Sequence, residues 1–249
     1  FLSRKPLGLS QPRGKIQRIS SLLRKNVTIK LKMTNQIIGI SGVAGAGKDT
    51  FYSLLSEVLP CVRFSLADEL KQEVQQWCKI HYNIDSVDCN REDKEIIRPF
   101  LVAHGVAKRN LSNGRHWIDL LNDKLIKNKD KGFKVITDIR YDDYKNDEVG
   151  WLQNELNGTL VHVSQYTEGW DHYQTENGKS EWDLVKKFIA PANEEEARND
   201  HKLKHKSNFQ IEWEHIENGQ IDELNPFVDK FVRWLSQQEN EKSRTFLMF

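Results

Sequence analysis

Cysteine is scarce in this chain of 249 residues: there are three, Cys61, Cys78 and Cys89, with no C-x-x-C spacing. That excludes a disulfide framework and a cysteine-built zinc site, and the thiols read as reduced residues of a cytosolic protein. Long hydrophobic runs are missing as well. No stretch approaches the roughly 18 apolar residues that a membrane-spanning helix needs. No membrane association, secretion or nucleic-acid partner is expected, and the location expected is cytoplasmic (a host cytoplasm if the protein is viral). Internal repeats and low-complexity tracts are lacking too, so ordinary globular folding is the expectation.

A net excess of charge is also missing, with 37 Lys/Arg against 36 Asp/Glu, but the charge is unevenly spread. Residues 1–32 hold nine Lys/Arg and no acidic residue, leaving 28 basic against 36 acidic residues in the rest. This segment has no hydrophobic period. Met33 reads as the natural start, and residues 1–32 as upstream translation or a disordered arm. Their Arg-rich, acid-free composition also matches a mitochondrial-type transit peptide, although the chain opens on Phe1. The length suits one large α/β domain or two small ones.

What the chain does have is concentrated near residue 40. Residues 36–50 read QIIGISGVAGAGKDT, an apolar strand followed by a Gly-rich turn and then a helix with Phe51, Leu54, Leu55 and Val58 on one face. Gly42, Gly45, Ala46 and Gly47 let successive backbone N–H groups point at a triphosphate. The following helix offers its N-terminal dipole, and Lys48 reaches the β- and γ-phosphates. The motif predicts nucleotide binding. Its usual form has Ser or Thr directly after the Lys to hold Mg²⁺. Here Asp49 takes that place and Thr50 comes one later, a displacement similar to that of small-molecule kinases of the adenylate kinase type. Asp49 either holds the metal through water or caps the helix.

Strands are predicted at Ile37–Ser41, Val62–Ser65, Lys134–Thr137, Thr159–Ser164 and Phe209–Glu212. Helices are predicted at 50–59, 67–81, 91–108, 116–127, 144–156 and 226–238. This alternation is the rhythm of an α/β fold, a parallel sheet with helices on both faces. Between Gln165 and Lys206 the pattern breaks down, which reads either as an irregular lid-like insertion or as a loose surface excursion.

Phosphoryl transfer needs cations around the developing charge. Lys71, Arg98, Arg109 and Arg140 lie at element ends. Arg98 and Arg109 are eleven residues apart, about three helical turns, on nearly the same face. Val135–Arg140 is an apolar strand ending in Asp138 and Arg140. A carboxylate at such a strand tip either places Mg²⁺ or its waters, or serves as a helix cap or a salt-bridge partner of Arg140.

From about Ile37 to Leu235 the chain resembles bacteriophage-type deoxynucleoside monophosphate kinases. The matching residues are Gly47-Lys48-Asp49-Thr50, Ala67-Asp68-Glu69-Leu70-Lys71, Arg98 through Arg109 followed by Trp117, Ile136-Thr137-Asp138-Ile139-Arg140 with Glu148 beyond, and a late strand ending near Asn218-Gly219. Animal phosphomevalonate kinases look similar over the same landmarks, including Lys94-Glu95-Ile96-Ile97-Arg98 with Arg109 eleven later. They carry paired arginines after the Asp, whereas Tyr141 follows Arg140 here.

The resemblance implies a P-loop kinase fold using ATP and Mg²⁺ on a (deoxy)nucleoside monophosphate. It implies Lys48 at the transferring phosphoryl group, with Arg98, Arg109 and Arg140 gripping the acceptor phosphate or the transition state. Lys71 and Trp117 would stand at the acceptor, and Asp49, Thr50 and Asp138 near the metal. The implied organisation is a basic extension over 1–32, a kinase domain over 33–240 and a tail over 241–249. Within the domain, an acceptor region covers about 66–130 and a lid-like region about 165–206, where Arg198 is the candidate lid arginine. A homodimer is implied as well. Two other readings stand beside it: a phosphomevalonate kinase-like enzyme and a nucleotide-binding protein without catalysis.

Several features are set aside. His201 and His205 are spaced as metal ligands on a helix but have lysines between and beside them. Trp170, Trp182 and Trp213 can stack a base but are more often buried. The acidic run Glu194–Glu196 reads as a solvated helix start.

Overall fold

The computed structural model describes residues 36–128, 132–174, 177, 180–216 and 220–246. The basic segment 1–32, Met33, Gly178, Lys179, Asn218 and Gly219 lie outside the described residues, as does the end of the 241–249 tail. The chain divides into two units, Met33–Val228 on one hand and Phe1–Lys32 with Asp229–Phe249 on the other.

The first unit is built on a six-stranded sheet. Its strands are β1 (Ile37–Ser41), β2 (Cys61–Phe64), β3 (Phe133–Ile136), β4 (Thr159–Gln174), β5 (Ser180–Phe188) and β6 (Phe209–Glu214). The order is β2-β3-β1-β4-β5, with β6 also on β4. β1 is central: Ile38 is in register with Val135 of β3 on one side and Thr159 of β4 on the other, both in parallel. Its Ile-rich sequence suits a strand covered on both faces, and Ile38 and Ile40 are fully buried.

The helices are α1 (Lys48–Val58), α2 (Leu66–Tyr82), α3 (Arg91–Leu111), α4 (His116–Lys127), the short α5 (Glu148–Gly150), α6 (Glu194–Lys206) and α7 (Asn225–Phe246). Trp117, Leu121, Trp151, Leu152, Leu160 and Leu203 meet Phe64 and Ile136 in one apolar core. A satellite cluster of Val74, Cys78, Ile97 and Leu101 joins α2 to α3. The two histidines His104 of α3 and His116 of α4 both contact Glu73 of α2, at 2.8 and 2.6 Å. In the second unit α7 continues to Phe246, with Phe231, Val232 and Leu235 buried as their spacing predicts. Among the described residues no helix is long and apolar enough to cross a membrane.

Two expectations are corrected. The sheet is mixed rather than purely parallel, because β4 and β5 pair antiparallel from Tyr166–Phe188 to Gln174–Ser180. The stretch expected to be irregular is therefore mostly regular, a hairpin followed by α6. Asn193 starts α6 by accepting a hydrogen bond from the Glu196 N–H at 2.9 Å, and the acidic run occupies its first turn while Lys204-His205-Lys206 ends it. The second correction concerns the helix expected over 144–156. The Asp147 carboxylate accepts from the N–H groups of Asp143, Tyr144 and Glu148, holding 143–147 in turns. The α-helix therefore begins at Glu148 and passes at once into a π-turn over Trp151–Glu155.

Candidate functional site

The Gly-rich turn lies between β1 and α1, at the C-terminal edge of the central strand. Gly42 has φ +135°, and a Cβ there would stand 2.2 Å from the Val163 carbonyl oxygen of β4. Gly47 has φ +90°, and its Cβ would meet the Trp213 ring at 2.6 Å. Both positions therefore need glycine. Trp213, on β6, is buried against the loop and donates from Nε1 to the Ala46 carbonyl at 3.0 Å. It is a wall of the loop, consistent with the burial usual for Trp.

Lys48 turns back into the loop, donating from Nζ to the carbonyls of Gly42 at 2.6 Å and Val43 at 2.8 Å. Burial depresses its pKa, and the Arg140 guanidinium nearby depresses it further. Arg140 is exposed, and among the described residues neither it nor Lys48 makes an ion pair. Asp49 is exposed in the first turn of α1 with no hydrogen bond or ion pair among the described residues, and Thr50 is half-buried beside it. The N–H of Ala44, in the loop, is taken by the carboxylate of Glu196 at 3.2 Å, which also accepts from Ala192 N–H at 3.0 Å.

The strand tip bearing Asp138 is adjacent. Asp138 is buried and accepts from Ser65 Oγ at 2.8 Å, Leu66 N–H at 2.9 Å and Ala67 N–H at 2.8 Å. It thus caps α2 across the sheet edge, the structural alternative open in the sequence. Arg140 and Tyr141 give their N–H groups to Glu148, at 2.6 and 3.2 Å. Burial, helped by Asp147, pushes the Glu148 carboxyl up to about 8.

The other expected cations stand differently. Arg109 is buried in an ion pair with Asp147 and lies 3.4 Å from Asp143, its guanidinium 3.9 Å from the centre of the Tyr141 ring. Arg98 is exposed and pairs with Glu95 on its own helix at 2.6 Å. Lys71 is 3.6 Å from Asp68. Trp117 belongs to the core and donates to the Gly105 carbonyl at 3.3 Å. Lys48, Arg140 and Asp138 are therefore gathered at neighbouring strand ends, while among the described residues no hydrogen bond or ion pair joins Arg98 or Trp117 to them.

Arg198 of α6 reaches Asp143 at 3.1 Å, beside Lys202 at 3.0 Å, so the candidate lid arginine shares a carboxylate with Arg109. A cavity of about 330 Å³ opens beside Val43 of the loop, lined by His162, Ser164, Phe188, Pro191, Asp200 and Lys204. His162 lies 3.1 Å from Ser41 Oγ and 3.7 Å from Asp200. Burial and then Lys204 lower its pKa to about 4, so it is neutral at pH 7.

Sequence reasoning did not find Ser65, Glu196, His162 or Asp143. Ser65 carried a signal, standing at the end of a predicted strand, and His162 a weaker one as a polar residue inside an otherwise apolar predicted strand; Glu196 and Asp143 carried none. Among the described residues no group of three or more His, Cys, Asp or Glu side chains is placed to hold a metal.

No protein-family model matches the chain, and a search of curated proteins returns no match. The functional reading rests on the residues of this site.

Proposed function

We propose that the chain is a P-loop kinase that transfers the γ-phosphoryl group of ATP to the phosphate of a (deoxy)nucleoside monophosphate. The observation that carries the reading is a half-buried lysine folded onto a glycine-bent loop beside a second cation, Arg140. Arg140 depresses the Lys48 pKa at the loop while the carboxylates of Glu196, Asp49 and Asp138 raise it, and among the described residues none of the three is in an ion pair with either cation. Burial and Arg140 outweigh those carboxylates at Lys48, so a phosphate joining the two cations would favour the charged lysine. A loop whose backbone turns on left-handed glycines before a helix N-terminus is suited to a phosphate chain. The central position of β1, with strands added on both sides, opens the crevice in which α/β sheets bind ligands.

In this reading Lys48 leaves the Gly42 and Val43 carbonyls for phosphate oxygens, and Arg140 meets the charge that develops as the acceptor oxygen bonds to γ-phosphorus and the bond to ADP breaks. Mg²⁺ would neutralise phosphate charge, held through Asp49 and Thr50. Asp138 acts through the α2 cap, placing the acceptor side. Arg109 and Arg198, joined through Asp143, would grip the acceptor phosphate only after Arg109 also gives up Asp147 and Arg198 gives up Glu195.

The pairing of Arg98 and Arg109 with carboxylates favours a second reading, nucleotide binding without transfer. An ADP-release assay with Mg-ATP and dGMP, dTMP, dCMP, dAMP or phosphomevalonate separates the possibilities. Turnover with a deoxynucleotide is the expected result. Turnover with phosphomevalonate alone moves the acceptor class, and ATP binding without any turnover supports the second reading.

A further inference from the structure

The β4–β5 hairpin outruns the rest of the sheet. β4 loses β1 as a partner after His162 and β6 after Tyr166, so beyond that point its only strand partner among the described residues is β5. β5 is the end strand of the sheet, with its outer edge unpaired among the described residues. A lone two-stranded ribbon is marginal in water, and an open edge invites another strand.

The side chains on this ribbon are those of a covered surface. On one face Trp170 is directly opposite Leu184 and His172 opposite Trp182. Trp170 and Trp182 are 64 and 65% exposed, and Leu184 and Phe188 are also exposed. On the other face two carboxylates, Asp171 and Asp183, are opposite each other, a destabilising like-charge pair. Neither has an ion pair among the described residues, and neither has Lys187, which lies along Gly169 on the same face. The edge thus offers an unneutralised carboxylate and an unneutralised ammonium two residues either side of Val185.

We propose that the outer edge of β5 pairs antiparallel with β5 of a second copy of this chain, centred on Val185. In that register Asp183 lies opposite the second copy's Lys187, and Trp182 opposite its Phe188, each twice by symmetry. Residues opposite one another in an antiparallel pair share a face, so the ion pairs fall on the Asp171 side and the aromatic pairs on the Trp170 side. The free edge of β4 cannot do the same: its described residues from Thr167 to His172 include two acids and no Lys or Arg to complement them. Nine residues a side make a modest contact, so the dimer is reversible and concentration-dependent. The inference is independent of what the loop binds.

Sedimentation equilibrium over a wide concentration range, on the full chain and its charge variants, tests this. The wild type is expected to dimerise, Asp183→Lys or Lys187→Asp to raise the dissociation constant about tenfold or more, and the double variant to restore it. Val185→Cys is expected to give an interchain disulfide under mild oxidation beyond any formed by the wild type. Circular dichroism of the single variants should match the wild type, since both side chains are exposed. A monomer at every concentration, or a dimer indifferent to the single reversals, overturns the proposal, as does failure of the double variant to recover when it is folded.

Discussion

Lys48 donates to two loop carbonyls, yet burial and Arg140 both favour its neutral form. An anion beside it would reverse that bias by favouring the ammonium. Lys48→Ala removes this cation while leaving the glycine geometry in place. In the proposed kinase it is expected to lower kcat by about 100-fold or more, measured by ADP release, with the denaturation midpoint close to wild type. Near-wild-type turnover would sink the assignment. Glu148 supplies a prediction in pH. Its pKa of about 8 lies above the ordinary glutamate value of 4.5, so the native state keeps a proton that the unfolded chain releases. Stability therefore falls as pH rises from the ordinary carboxylate range to about 8. His162, lowered from 6.5 to about 4, works in the opposite sense but only below 6.5. Urea midpoints between pH 6.5 and 8 should fall for the wild type and be flatter in Glu148→Gln, which keeps an oxygen for the Arg140 and Tyr141 N–H groups. Parallel curves for the two proteins would show that Glu148 stays charged in the fold.

Among the elements, α2 depends on a residue far away in the chain, since Asp138 accepts the N–H groups of Leu66 and Ala67 and the hydroxyl of Ser65. Asp138→Ala is expected to cost about 1–3 kcal/mol through buried donors left unsatisfied, read from denaturant unfolding. Asp138→Asn, which still accepts at one oxygen, should recover much of it. If Asn restores stability and not turnover, the carboxylate has a role beyond the cap. How legible such elements were varied with their hydrophobic signal. β1 and α4 match their predicted bounds, β1 because a short apolar run ends at the glycine turn and α4 because its apolar residues recur at helical spacing. The β4–β5 hairpin was hidden by its polarity, although Tyr166, Trp170, Trp182, Leu184 and Phe188 fall at even spacing, a two-residue period that identifies a strand. The Asp147 turn is closed by local N–H groups, but the burial of its carboxylate could not be read locally, because its partner Arg109 is 38 residues away. The glycines and Lys48 were legible because a loop motif is local. The pairing of Arg109 with Asp147, and of Glu196 with the Ala44 amide, depends on packing that no spacing encodes.

For the molecule as a whole, a ligand that binds only the folded chain shifts unfolding by mass action. ATP at a hundred times its dissociation constant would add about 2.7 kcal/mol. The loop, Trp213 and α6 come from distant parts of the first unit, and all three meet at the Gly-rich turn, through Trp213 on Ala46 and Glu196 on Ala44. A triphosphate in the loop would have to displace the Glu196 carboxylate from the Ala44 N–H, so binding also works against an internal anion. Thermal unfolding is therefore expected to shift upward with Mg-ATP, more strongly in Glu196→Gln than in the wild type, and not at all in Lys48→Ala. The ordering of the three proteins is the decisive quantity. A shift that survives in Lys48→Ala would mean the nucleotide binds elsewhere, and a weaker shift in Glu196→Gln would mean that this carboxylate helps hold the ligand instead of competing with it.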